Sequence, residues 1–111
     1  MGTLARGTEI AAELELLGIR ATLDPAVASP PCILIIPPNI TWDQMCAVTA
    51  AWQLVAMAPA AQTADRTSWE LLDALIDGAA KVVDSRSAQL VAYTLNGKQY
   101  PSYLITFQES V

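Results

Sequence analysis

Five consecutive apolar residues, Cys32-Ile33-Leu34-Ile35-Ile36, stand between two proline pairs at 30–31 and 37–38. A segment that is apolar at every position offers neither face to water, so it predicts a central β-strand covered on both sides. Proline has no N–H to give to a ladder, so the pairing is expected to be confined to the window between the prolines.

The rest of the chain supplies elements that can cover such a strand. Ile10, Leu14 and Leu17 fall at helical spacing among Glu9, Glu13 and Glu15, which predicts a helix over 4–17. Gly18 sits where a left-handed residue would end it. Residues 19–23 read as a short strand, and Asp24-Pro25 turns the chain. Residues 45–57 carry two competing periods. Alanine favours a helix, but the alternation of Cys46, Val48, Ala50, Trp52 and Leu54 with smaller and polar residues favours a strand, and the strand is the reading adopted. Residues 58–64 read as a connection.

Thr67-Ser68-Trp69-Glu70 has the form of a capping box, with Thr67 as the cap of a helix that runs to about Val83. Its apolar stripe is Trp69, Leu72, Ile76, Ala79 and Val83, and close helix–sheet packing is a reason for Gly78. Residues 88–95 and 99–108 alternate in polarity on either side of Asn96-Gly97, a strong hairpin signal. The element order is therefore α-β-β-β-α-β-β. It predicts a single α+β domain over residues 1–111, with one mixed, mostly antiparallel sheet of about five strands and both helices on one face.

The chain lacks most groups that carry chemistry. There is no histidine, which removes serine–histidine and cysteine–histidine catalysis in their usual forms and histidine-containing zinc sites. Cys32 and Cys46 are not spaced for redox exchange and read as reduced, apolar residues near the core. No phosphate-binding glycine motif is present. The candidate carboxylates are Asp24, Asp43, Asp65, Glu70, Asp73, Asp77, Asp84 and Glu109, with Asp73 and Asp77 four apart on the polar side of a helix. They read as a solvated surface. The expectation is no enzyme, no metal and no cofactor.

Charge narrows the partners. The net charge is −5, and the six basic residues, Arg6, Arg20, Arg66, Lys81, Arg86 and Lys98, form no stripe for phosphates. An acidic surface also repels anionic lipid. No apolar run approaches the ~20 residues of a membrane span, and the acidic start does not read as a signal peptide. The cytosol is the default compartment.

Apolar residues make up 53% of the chain and charged residues only 15%. A typical soluble domain has about 45–50% and about 25%. A small domain needs more polar covering than a large one, so this composition implies surface buried against partners. The segment Pro37-Pro38-Asn39-Ile40-Thr41-Trp42-Asp43 reads as a stiff exit from the central strand into a loop. Pro37, Pro38, Ile40 and Trp42 are its candidate subunit-interface residues, since tryptophan is enriched at binding hot spots. Trp42 folded back over the core is the competing reading. Trp52 and Trp69 are expected in the core, and Pro101 is expected to blunt an edge strand.

Two stretches, Leu17-Gly18-Ile19-Arg20-Ala21-Thr22-Leu23-Asp24-Pro25 and Pro30-Pro31-Cys32-Ile33-Leu34-Ile35-Ile36-Pro37-Pro38, resemble the tail terminator proteins of long-tailed bacteriophages, above all those of actinobacterial hosts. The element order extends the resemblance over nearly the whole chain; in sequence it is sharp over residues 17–38. It implies a homo-oligomeric ring, usually of six copies, at the head-proximal end of the virion tail, assembled in the host cytoplasm. Such a ring caps the completed tail tube, contacts the tail tube protein and the head-completion (stopper) protein, and lets DNA pass through its lumen without specific binding and without a membrane. This chain is somewhat short for that family and has almost no charge over residues 25–64. Competing readings are another head–tail joining protein (a stopper or connector) and a cellular module that binds protein along an exposed sheet edge.

Overall fold

The computed structural model describes residues 2–42, 48–59 and 66–110, and of residues 66–68 the backbone alone. Helix α1 covers Thr3–Leu16, with Gly7, Ile10 and Leu14 buried along one line. It ends as Gly18 foretells. Gly18 takes a φ of 81°, its N–H donates to the Glu15 carbonyl at 2.9 Å, and the Ile19 N–H donates to the Leu14 carbonyl at 3.0 Å. This pair of bonds turns the chain back under the helix, so that Ile19 packs against the same core as Leu14.

Strand β1 is only Ala21–Thr22, shorter than the expected 19–23. The turn at Asp24 cuts it off: the Asp24 N–H donates to Thr22 Oγ1 at 3.1 Å, and Asp24 Oδ1 accepts from the Ala26 N–H at 2.9 Å. Ile19 and Leu23, on either side, still pack on the core.

Strand β2 runs from Cys32 to Trp42, which corrects the expectation that the prolines confine pairing to 32–36. Against the antiparallel strand β3, Val48–Met57, the register steps from Ile36 opposite Gln53 to Asn39 opposite Ala51. That is three residues on β2 against two on β3. Pro37 and Pro38 occupy this bulge, where an interrupted ladder tolerates a missing donor, and pairing resumes as far as Trp42. The strand reading of 45–57 holds for Val48–Met57; residues 45–47, with Cys46, lie outside the described residues.

Helix α2, Arg66–Val82, leads to β4, Ser87–Leu95, and β5, Lys98–Ser110. Because α2 already includes Arg66, Thr67 sits in its first turn and not at its cap. The hairpin turn is Asn96-Gly97, with φ of 51° and 84°, the two positive values a two-residue turn of this kind requires. The sheet order is β1-β2-β3-β5-β4. Only β1 and β2 run parallel, so the fold is α+β with a mixed, mostly antiparallel five-stranded sheet.

The continuous apolar run of β2 is explained by two cores. Ile33 and Ile35 face both helices and join Ile10, Leu14, Trp52, Leu54, Leu75, Ala79, Ile105 and Phe107. Cys32 and Leu34 face the other way and join Val55, Met57 and Leu95, with Tyr93, Tyr100 and Ala28 packed around them. Although β4 and β1 are at opposite edges, Asn96 Nδ2 reaches the Pro25 carbonyl at 3.4 Å. The sheet therefore coils until the hairpin tip meets the loop after β1, and this covers its second face around Cys32, Leu34, Val55, Met57 and Leu95, while Asn39, Thr41 and Gln108 on the same face stay exposed.

Two further expectations change. Pro101 does not blunt an edge: β5 is interior, between β3 and β4, and the Pro101 carbonyl accepts from the Ala58 N–H at 3.0 Å. Gly78 makes room not for the sheet but for the Ile19 side chain, which a Cβ there would overlap.

Candidate assembly surface

The register fixes which backbone groups of each edge strand point away from the sheet, because bonded and non-bonded pairs alternate in an antiparallel ladder. On β2, the Ile33 N–H donates outward, to the Arg20 carbonyl at 2.9 Å. Ile35 is two residues further and also points outward. The bulge adds one residue, so beyond it the outward positions are Ile40 and Trp42. β1 covers the edge only opposite Ile33 and Leu34. From Ile35 to Trp42 that edge has no strand partner among the described residues.

The four candidate interface residues thus lie along one strand edge, not in a loop. Pro37 is exposed, Pro38 and Ile40 are half-buried, and Trp42 is 66% exposed. Ile40 packs on the helix-side core, and Trp42, two residues on, projects to the same side of the sheet. The reading in which Trp42 folds back over the core does not hold. Pro37 and Pro38 also line a cleft of about 230 Å³ with Leu4, Leu23, Ile35 and Trp52.

The second edge without a strand partner among the described residues is β4. In a two-residue hairpin the closing pair, Leu95 with Lys98, is the bonded one. Counting back, Tyr93, Val91 and Gln89 bond to β5, and Thr94, Ala92, Leu90 and Ala88 turn their N–H and C=O groups outward. Pro101 fits this parity, since it stands opposite Ala92, where no bond to β4 is made. The strand contains no charged residue and no proline from Ser87 to Leu95. Such residues are the usual protection of an edge strand.

Sequence reasoning missed what lies beside this edge. Leu90 is 66% exposed, and Trp69, expected in the core, is 66% exposed as well. With Leu72, Pro101 and Tyr103 they line an apolar cleft of about 200 Å³. The stripe of α2 has the right phase, for Leu72, Leu75, Ala79 and Val83 are buried. Trp69, however, faces the cleft beside Leu90 and Tyr103, where most of its indole is left uncovered. Periodicity tells which face a residue shares, not how far the core extends beneath it.

Arg6 lies between two carboxylates. The Arg6 guanidinium donates to Glu9 Oε1 at 2.7 Å and to Glu109 Oε1 at 2.7 Å, and Glu109 above all raises its pKa. These residues line a cleft of about 370 Å³ with Gly2, Thr3, Trp52 and Ser110. Asp73 and Asp77 are exposed on α2, and Asp24 Oδ1 holds its own turn. Asp43 and Asp65 lie outside the described residues. Among the described residues no three His, Cys, Asp or Glu side chains gather closely enough to hold a metal ion, and no helix is long and apolar enough to cross a membrane.

No protein-family model matches the chain, and neither curated proteins nor solved structures give a match.

Proposed function

We propose that this protein is a structural subunit of the terminator type from a long-tailed bacteriophage, which assembles into a ring that caps the tail tube and joins it to the head-completion proteins. The observation that carries the reading is the placement of apolar surface at two different edges of one sheet: Trp42 on β2, and Leu90 with Trp69 beside β4. Two unlike patches on one subunit favour head-to-tail contact, and head-to-tail contacts that close make rings. The net charge of −5 suits a channel through which DNA slides, because like charge prevents phosphate contacts. The function proposed is assembly, not catalysis.

Light scattering of the purified chain followed by electron microscopy tests this. Closed rings of one size, which bind to the ends of isolated tail tubes, are the expected result. A chain that remains monomeric both alone and beside tail tubes overturns it. A second reading draws on the β4 edge, which has no strand partner among the described residues: a monomeric module that adds an extended peptide as a sixth strand. It predicts peptide binding without rings.

A further inference from the structure

We infer that the outer edge of β4 receives the Asn39–Trp42 edge of a second copy, so that Ile40 of one copy pairs with Leu90 of the next and Trp42 with Ala88. This rests on the self-assembly proposed above, but not on the role in a phage tail.

The backbone groups match. Ile40 and Trp42 point their N–H and C=O groups outward from β2, as Ala88 and Leu90 do from β4, so the two segments form bonded pairs in an antiparallel ladder. The directions match as well. From β2 through β3 and β5 to β4 each strand reverses the last, so a copy added by rotation about an axis along the strands brings its β2 antiparallel to β4. The match ends at Pro38, which falls opposite Ala92 and has no N–H to give.

The side chains fit the same register. Leu90 shares the helix side with Tyr103, its partner on β5, and Ile40 and Trp42 take the helix side of β2. Paired in this way, the incoming indole lies beside the apolar cleft of Trp69, Leu90 and Tyr103. Charge points to a second copy as the occupant. Copies with a net charge of −5 repel, and they meet with least repulsion where neither contributes charge. Ser87–Leu95 and Ile35–Trp42 are both free of charge.

The offset between the edges favours closure. Ile40 is level with Glu109, through Ala50, and Leu90 is level with Tyr103. Six residues along β5 separate the two levels, about 20 Å at ~3.3 Å per residue. Each copy adds four strands, about 19 Å at ~4.8 Å apart. The strands would then lean at about 45°, at the upper end of the ~35–45° tilt with which sheets close into barrels.

The test is a cross-link in a Cys46→Ser background. Ile40→Cys together with Leu90→Cys, mildly oxidised, should give a ladder of covalent oligomers on a non-reducing gel that collapses with reductant, whereas neither single variant should cross-link. Leu90→Lys should weaken association at least tenfold in light scattering and leave the unfolding midpoint unchanged. If the parent chain assembles but the double variant gives no ladder, the contact lies elsewhere; the pairing is then wrong and the proposed function still stands. A disulfide dimer from Leu90→Cys alone would show β4 pairing with itself and would overturn the pairing. A ladder from a protein that does not cap tail tubes would uphold the pairing and sink the phage role.

Discussion

Arg6 and Glu109, 103 residues apart, are joined by a two-pronged contact: Arg6 Nη2 donates to Glu109 Oε1 at 2.7 Å and Arg6 Nε to Oε2 at 3.0 Å. The contact fastens the start of α1 to the far end of β5. Both side chains are partly exposed, so its contribution is about 1 kcal/mol. Glu109→Ala should lower stability by that amount. A double-mutant cycle with Arg6→Ala, by urea unfolding, should recover most of it as coupling that shrinks in high salt.

Trp52 and Phe107 stack at a centroid distance of 6.0 Å with planes 2° apart, one above the other on adjacent strands of the helix-side core. Phe107→Ala should cost about 3–5 kcal/mol, a large share of the ~5–15 kcal/mol of a domain this size. Trp52→Phe should cost clearly less, because the buried indole N–H finds no acceptor among the described residues. Denaturant midpoints with unchanged slopes check both.

Gly18 and Gly97 have φ of 81° and 84° with open space where a Cβ would stand. Alanine at either position meets no neighbour, so any loss comes from the backbone alone. Each substitution should destabilise by about 1–2 kcal/mol, and asparagine at the same position should recover part of it. Thermal unfolding of the four variants measures this.

Trp42→Ala should separate folding from assembly. The side chain is exposed, so the unfolding free energy should change by no more than about 0.5 kcal/mol. Self-association measured by light scattering should fall sharply, as when an interface anchor is removed. Unchanged association would remove Trp42 from the interface.

Burial pushes the Cys32 thiol above its ordinary 9.0, against smaller opposing effects of the Ser29 backbone and Arg20. The folded protein therefore keeps this proton at a pH where the unfolded chain loses it. The contribution to stability is intact below that ordinary value of 9.0 and falls as pH rises through the higher folded value. Cys32→Ala should flatten the decline of the urea midpoint between pH 8 and 10. In a Cys46→Ser background, the native thiol should react slowly with iodoacetamide at pH 8.

Local chemistry made much of the fold legible. Gly18 ended α1, and Asn96-Gly97 set the hairpin. The alternation along β3 outweighed the helical preference of its alanines, because a strand there lies between β2 and β5 and buries both its faces. Of the candidate surface, the sequence showed the composition and not the geometry. Pro37, Pro38, Ile40 and Trp42 stand out by their unusual composition, but they form a strand edge and not a loop. Trp69 and Leu90 were missed as a pair, because nothing in the spacing within α2 or β4 shows where the two elements cross.

The sequence by itself determined the elements, their order and the apolar face of each, because these depend on residues a few positions apart. Tertiary structure decided the rest: that the sheet coils to bury part of its second face, that the prolines fall in a bulge, and that among the described residues one edge is partly covered by a strand while the other has no strand partner. Those outcomes depend on strand order and register, which are set by contacts between residues far apart in the chain. Whether Trp42 and Trp69 meet water or core follows from that arrangement.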